Sequence, residues 1–194
     1  MTTAKVAPKI AAFLDLIAAS EGTSGSTITK NNGYDVIVSG VDGPNSFSDY
    51  SMHPFAQGRA PILVRAALPA GLPRDAVAVR ALYSTASGRY QFELGTWASL
   101  AKRSNYSVFA PMQQDLAAVD LLFECNAVKL ILAGDVDLAI HACCHMWASF
   151  PGNAYGQGGR SIGWLLAKYK SFLGGAGCRY SHTQWCASRL RQRV

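Results

Sequence analysis

Between Pro111 and Gly134 lies an apolar-periodic run, Leu116, Val119, Leu122, Phe123 and Leu130, which constrains the fold more than any other feature of the sequence. Apolar residues at three- and four-residue spacing share one face of an α-helix, and that face needs other elements to cover it. Pro111 suits a first helical turn, where its missing N–H has no intrahelical partner, and Gly134 suits a left-handed stop. The covering elements come from the rest of the chain. Pro8 ahead of Ile10, Phe13, Leu14 and Ile17 predicts a first helix with one buried face, ended by Glu21 and Gly22. Thr96 predicts the cap of a helix reaching Lys102, Asp135 the cap of one ending by Pro151, and Ser161 the cap of one carrying Ile162, Leu165, Leu166, Tyr169 and Phe172.

Strand signals are few. Asn32-Gly33 followed by Val36, Ile37 and Val38 predicts a strand over residues 34–39, a turn over 40–44 and a return strand over 46–51. Residues 54–87, cut by Pro61, Pro69 and Pro73, read as an irregular excursion with a short helix over 75–83. The expected class is α+β, mostly helical with one small β-hairpin. No internal repeat is visible.

The 194 residues suit one compact domain, and 49% hydrophobic against 15% charged residues exclude a disordered chain. No stretch reaches the roughly 18 apolar residues of a membrane-spanning helix. Residues 10–19, preceded by Lys5 and Lys9, imitate the front of an export signal but contain Asp15, so they read as an amphipathic helix. A net charge of +6 favours an anionic partner: nucleic acid, an anionic lipid face or an acidic polymer such as cell-wall glycan. No nucleic-acid reader motif occurs and the basic residues are scattered, so nucleic acid is not expected. Five cysteines are too few and too odd in number for a disulfide scaffold, which points to synthesis in a reducing compartment.

Glutamate is scarce: Glu21, Glu93 and Glu124 are the whole supply. Glu93 and Glu124 read as solvated side chains. Glu21 ends an apolar helix, where the negative end of the macrodipole and apolar neighbours both oppose ionisation. A carboxylic acid kept protonated near neutral pH is what glycoside cleavage requires. A surface residue at a helix end is the competing reading.

Phe13-Leu14-Asp15, Ser20-Glu21-Gly22-Thr23, Gly33-Tyr34-Asp35-Val36-Ile37-Val38 and Asp49-Tyr50-Ser51 with His53-Pro54 resemble segments of the bacteriophage lambda endolysin family of lytic transglycosylases. Ser87-Gly88-Arg89-Tyr90-Gln91 resembles its Gly-Arg-Tyr-Gln segment, and Trp147-Ala148-Ser149-Phe150-Pro151-Gly152 with Tyr155-Gly156-Gln157 its late aromatic motif. The ordered matches run from about Phe13 to Phe172. The resemblance implies a lysozyme-like fold whose catalytic cleft is flanked by a small hairpin lobe. It implies that Glu21 is the catalytic acid, that the β-1,4 bond between N-acetylmuramic acid and N-acetylglucosamine of peptidoglycan is broken without water, and that 1,6-anhydro ends result. A hydrolysing muramidase of the same fold, or a wall-binding phage protein without activity, are the alternatives.

Substrate contacts are expected from Tyr34, Asp35, Arg89, Tyr90, Gln91, Trp147, Tyr155 and Gln157, whose flat faces and polar groups suit sugars bearing acetamido and lactyl groups. Core packing competes for each aromatic, and for Asp35 the choice lies between charge stabilisation and a structural or sugar-binding role. His141, Cys143, Cys144 and His145 put two histidines on one helix face, but too few ligands converge for zinc, and no metal or cofactor is expected. Cys178 and Cys186 pair only if the tail folds back.

The expected layout is a catalytic domain over residues 1–173, with an insertion at about 55–87 longer than the family's, and a basic tail over 174–194. The protein is expected to act as a monomer on peptidoglycan glycan strands. It is expected to accumulate in the host cytoplasm and to reach the periplasm and cell wall only when a separate membrane-permeabilising lysis protein opens the way.

Overall fold

The computed structural model describes residues 6–67, 80–152 and 159–175. Its elements are α1 (Val6–Ser20), β1 (Val36–Gly40), β2 (Gly43–Ser46), β3 (Ile62–Arg65), β4 (Leu82–Ser84), α2 (Leu94–Ser104), α3 (Pro111–Glu124), α4 (Ala127–Ala133), α5 (Val136–Ala142) and α6 (Ile162–Gly174). The architecture is mixed α+β and mostly helical, as the residue pattern predicts. The chain divides into two compact units, Met1–Glu21 with Asp115–Val194, and Gly22–Gln114.

In the first unit α1 packs against α4 and α6. The predicted stripe of Ile10, Phe13, Leu14 and Ile17 is buried, but so are Ala12, Leu16 and Ala18, so α1 is covered on more than the one face expected. Each large apolar side chain buried this way contributes roughly 1.5–3 kcal/mol. Phe13 meets Phe150 and Tyr169 edge-on at 6.1 and 6.3 Å between ring centroids. Lys9 Nζ donates to Leu132 O at 2.7 Å and Tyr169 donates its hydroxyl to Lys9 O at 3.4 Å.

The helix predicted across residues 111–134 is two helices. Asn126, with φ of +56°, breaks it between α3 and α4, and Gly134 caps α4 in the left-handed conformation as expected. α2 begins at Leu94, so Thr96 lies inside the helix, and Glu93 occupies the capping position. Asp135 precedes α5 without a side-chain cap, and α5 stops at Ala142. Ser161 does cap α6, its Oγ accepting from Trp164 N at 3.3 Å.

In the second unit β1 and β2 form an antiparallel hairpin, and β3 and β4 another. The return strand lies at Gly43–Ser46, earlier than expected. Beyond it Asp49 Oδ1 accepts from Ser51 N at 2.8 Å, a local turn, and Phe47 packs on Tyr50 and Phe109 at 5.2 and 5.8 Å. Side-chain packing and turn formation there replace strand pairing. The excursion expected after Pro54 contains the β3–β4 hairpin, and Leu82 and Tyr83, assigned to a helix on sequence, are strand because they pair with Arg65 and Leu63. Residues 75–79 of that expected helix lie outside the described residues, as do Cys178, Cys186 and the rest of the basic tail beyond Gly175. His53 is fully buried: its Nε2–H donates to Phe92 O at 2.9 Å and its Nδ1 accepts from Phe55 N at 3.4 Å. Burial holds its pKa below the ordinary histidine range, so the neutral ring satisfies both bonds.

Candidate functional site

Glu21 stands one residue past the end of α1 and still bonds back into the helix, its N–H donating to Ile17 O at 2.9 Å. Gly22 follows with φ of +76°, a left-handed conformation that turns the chain away from the helix at no steric cost to glycine. Helix propagation and its stop therefore aim the Glu21 side chain.

The partner of that side chain comes from far along the sequence. Ser149 Oγ donates to Glu21 Oε1 at 2.7 Å, and the Ser149 backbone N–H also donates to the carboxylate. Ser149 is held from both sides. Phe150, fully buried against Phe13 and Trp147, anchors the following residue. Arg160 N donates to Ser149 O at 2.8 Å. Gly159 lets this happen, because a Cβ there would lie 2.9 Å from Phe150 O and 3.1 Å from Ser149 O.

Burial raises the Glu21 pKa above the ordinary 4.5, opposed by the Ser149 hydroxyl, the Ser149 N–H and the Arg160 guanidinium. Desolvation wins. A carboxyl group in this setting keeps its proton to higher pH than a free glutamate and can act as a general acid.

Within the second unit the Ser87–Gln91 segment is locked by a different set of bonds. Gln114, fully buried, accepts from Arg89 N at 2.9 Å and donates to Tyr34 O and Phe109 O at 3.1 and 2.9 Å. Gly88 adopts φ of +77°, and a Cβ there would sit 2.3 Å from Gln114 Oε1, so only glycine fits. The Arg89 guanidinium donates to Asn32 O and lies over the Tyr34 ring at 5.2 Å and near Tyr90 at 6.0 Å. Thr23 Oγ1 donates to Arg89 O at 2.6 Å. Arg89, Tyr90 and Tyr34 are thus interior side chains, 2, 1 and 6% exposed.

Asp35 is also buried, and both its oxygens are engaged: Oδ1 by the Thr29 hydroxyl and Oδ2 by Lys30 N at 2.8 Å. These bonds close the turn that leads into β1. Trp147 is buried beside Phe150 at 6.1 Å. Gln91 is half-buried at φ of +51°, with Nε2 donating to Gly88 O at 3.0 Å. Tyr155 and Gln157 lie outside the described residues.

Because α5 ends at Ala142, His141 and His145 do not share the helix face that the sequence suggested. His145 Nε2 lies 3.9 Å from Cys125 Sγ, and Cys125 hydrogen-bonds Cys143, whose thiol pKa is pushed up by that bond first and by burial second. Among the described residues no group of three His, Cys, Asp or Glu side chains is placed to hold a metal ion.

Ser149, Gln114 and Ser20, whose Oγ lies 2.7 Å from Ser149 Oγ, carry these arrangements, yet sequence reasoning gave none of them a role. Ser20 and Ser149 stand inside the motifs quoted above, which was the available signal. Gln114 gave none, since a polar residue in the first turn of a helix is ordinary.

A model of the endolysin family matches residues 11–176. The endolysin of Escherichia phage P2 is 43% identical over 163 residues, 84% of this chain and 91% of the relative. That of Escherichia phage lambda is 38% identical over 161 residues, 82% of this chain and 87% of the relative. Among solved structures, bacteriophage lambda lysozyme complexed with a chitohexasaccharide superposes with a TM-score of 0.71 at 37% identity, covering 85% of this chain and 94% of that one. A second structure of lysozyme from bacteriophage lambda gives 0.62 at 34% identity, covering 86% and 90%.

Proposed function

The chain belongs to the endolysin family, and from that premise we propose that it cleaves the β-1,4 bond between N-acetylmuramic acid and N-acetylglucosamine as a lytic transglycosylase. The observation that carries this reading is the buried carboxyl group of Glu21, desolvated at the end of α1 and held by Ser149. A relative at 37% identity solved with a chitohexasaccharide supports a glycan substrate.

In the proposed reaction Glu21 protonates the leaving glycosidic oxygen. The resulting carboxylate then takes the proton from the C6 hydroxyl of the muramic acid as that oxygen attacks C1 and closes the 1,6-anhydro ring. Nucleophile and electrophile belong to one sugar, so proximity replaces a bound water or an enzyme nucleophile. One carboxylate suffices, unlike the paired carboxylates of most glycosidases. The engagement of both Asp35 oxygens in a turn supports a scheme that needs no second one. Of the expected glycan contacts, Gln91 is the most accessible described side chain, and the buried Tyr34, Arg89 and Tyr90 would serve by fixing the backbone around it, while Trp147 would serve by packing on Phe150 beside Ser149.

Mass spectrometry of digested peptidoglycan tests this: 1,6-anhydro ends are expected, and new reducing ends would instead establish a hydrolysing muramidase. We further propose that the protein reaches the wall only after another protein breaches the membrane. Among the described residues no helix is long and apolar enough to cross a membrane. Cells expressing it alone should stay intact until chloroform is added, and lysis without a breach would point to export through residues 10–19.

A further inference from the structure

The hydroxyl groups beside Glu21 form a chain whose bonds can run in either direction. Ser149 Oγ lies 2.7 Å from Glu21 Oε1 and 2.7 Å from Ser20 Oγ, and Ser20 Oγ lies 3.0 Å from Ile17 O. Each hydroxyl has a single proton to donate. While Glu21 is ionised, Ser149 donates to the carboxylate, and the Ser20 proton goes either to Ser149 Oγ or to Ile17 O, so one of the three contacts carries no hydrogen bond. When Glu21 is protonated on Oε1, its O–H donates to Ser149, Ser149 donates to Ser20, and Ser20 donates to Ile17 O. All three contacts are then filled.

Resting on the reading of Glu21 as the general acid, we propose that Ser20 is a positioning residue: it anchors on the Ile17 carbonyl a hydroxyl chain that reverses direction as Glu21 gains or loses its proton. The chain gives the protonated acid one hydrogen bond more than the carboxylate. It holds the proton in the glycan-free protein. Substrate then draws the proton to the other carboxyl oxygen, and Ser149 turns back to donate to Oε1. Burial of Ser20, 4% exposed, keeps water from substituting for its hydroxyl.

The charged group acting on Glu21 is the Arg160 guanidinium, which favours the carboxylate. Lys9 and Asp15 on α1, Lys129 on α4, Lys168, Tyr169 and Lys170 on α6, and Asp137 and His141 on α5, with Asp135 before it and His145 after it, are the other charged or titratable groups of α1, of the helices packed on it, α4 and α6, and of α5, which packs on those two. All are common to the parent and the variants below, so their fields cancel in the comparison.

Ser20→Ala removes two bonds from the protonated form and one from the ionised form. The Glu21 midpoint, followed by carboxyl-carbon NMR on the glycan-free protein, should fall by roughly half a unit to one unit, the worth of one neutral hydrogen bond. The alkaline limb of kcat/KM, which reports the free enzyme, should move down with it. Ser20→Thr keeps the hydroxyl and should return the midpoint to the parent's value. A residue that merely packs would lower stability and leave the midpoint in place. An unmoved or raised midpoint in folded Ser20→Ala overturns the proposal, and so does a fall in the midpoint with no movement of the limb. Activity of Glu21→Gln is the separate control: if that protein cleaves glycan, it is the reading of Glu21 that fails, and the NMR midpoint still answers for the hydroxyl chain.

Discussion

Ser149 Oγ donates a 2.7 Å hydrogen bond to Glu21 Oε1, joining residues 128 positions apart in the sequence. Backbone anchors hold the donor, and a helix end holds the acceptor. With Ser149 as the donor the bond favours the carboxylate, whereas desolvation of the same carboxyl group outweighs it. The result is an acid protonated above the range of a free glutamate yet still able to ionise.

Glu21→Gln keeps the side chain's volume and its ability to accept from Ser149 while removing the proton that must move. Glycan-cleaving activity should fall toward the large end of the roughly 10²–10⁴ range for general acid/base catalysis, since one residue serves both halves of the reaction. Glu124→Gln, on an exposed position of α3, should cleave nearly as fast as the parent. Turbidity assays on permeabilised cells measure all three proteins.

The same substitution should affect stability in the opposite sense. The Glu21 pKa is raised above 4.5 in the folded protein, so the folded state holds the proton more tightly than the unfolded chain. Stability from this group is complete below pH 4.5 and is lost as pH rises through the folded-state pKa. Glu21→Gln, which cannot ionise, should gain melting temperature relative to the parent as pH rises through that window. A constant difference across the window would mean that the carboxyl group is not desolvated.

Glu93 read as an unremarkable solvated residue, but its carboxylate accepts from Ser84 Oγ at 2.5 Å, from Thr85 N at 2.9 Å and from the Thr85 hydroxyl. It ties the end of β4 to the start of α2. Glu93→Gln should retain cleavage activity and lose about 1 kcal/mol of stability, the scale of a solvent-exposed hydrogen-bonded clamp. Urea unfolding measures the loss.

Gln114→Ala should be costlier, because it leaves Arg89 N, Tyr34 O and Phe109 O without their buried partner. A loss of about 3 kcal/mol is expected from these groups and the cavity together. Activity at temperatures where the variant is still folded should drop less than for Glu21→Gln, since Gln114 supports the segment and carries no reacting proton.

Arg59 and Arg65 are exposed, Arg59 lying over the Phe55 ring at 5.4 Å. Replacing both with Ala should lower activity on anionic peptidoglycan mainly at low ionic strength, where charge attraction is least screened. Equal loss at all salt concentrations would assign them to folding instead.

What the sequence determined alone was local. The apolar spacing from Ile10 to Ile17, the Pro111 start, the Gly134 stop and the Ser161 cap located helices because each signal acts within a turn or two of itself. Glu21 could be singled out because its place at a helix end is also a local fact. Tertiary structure decided what depends on residues distant in the chain. It placed Ser149 on Glu21, buried α1 on further faces by packing α4 and α6 against it, and drew Tyr34, Arg89 and Tyr90 into an interior held by Gln114. Short strands followed tertiary packing as well: a stretch such as Leu82–Ser84 has too few residues to declare itself, and its pairing with Ile62–Arg65 made it a strand. The proton affinity of Glu21 belongs to this second class, because desolvation is a property of everything that surrounds a group and not of its neighbours in sequence.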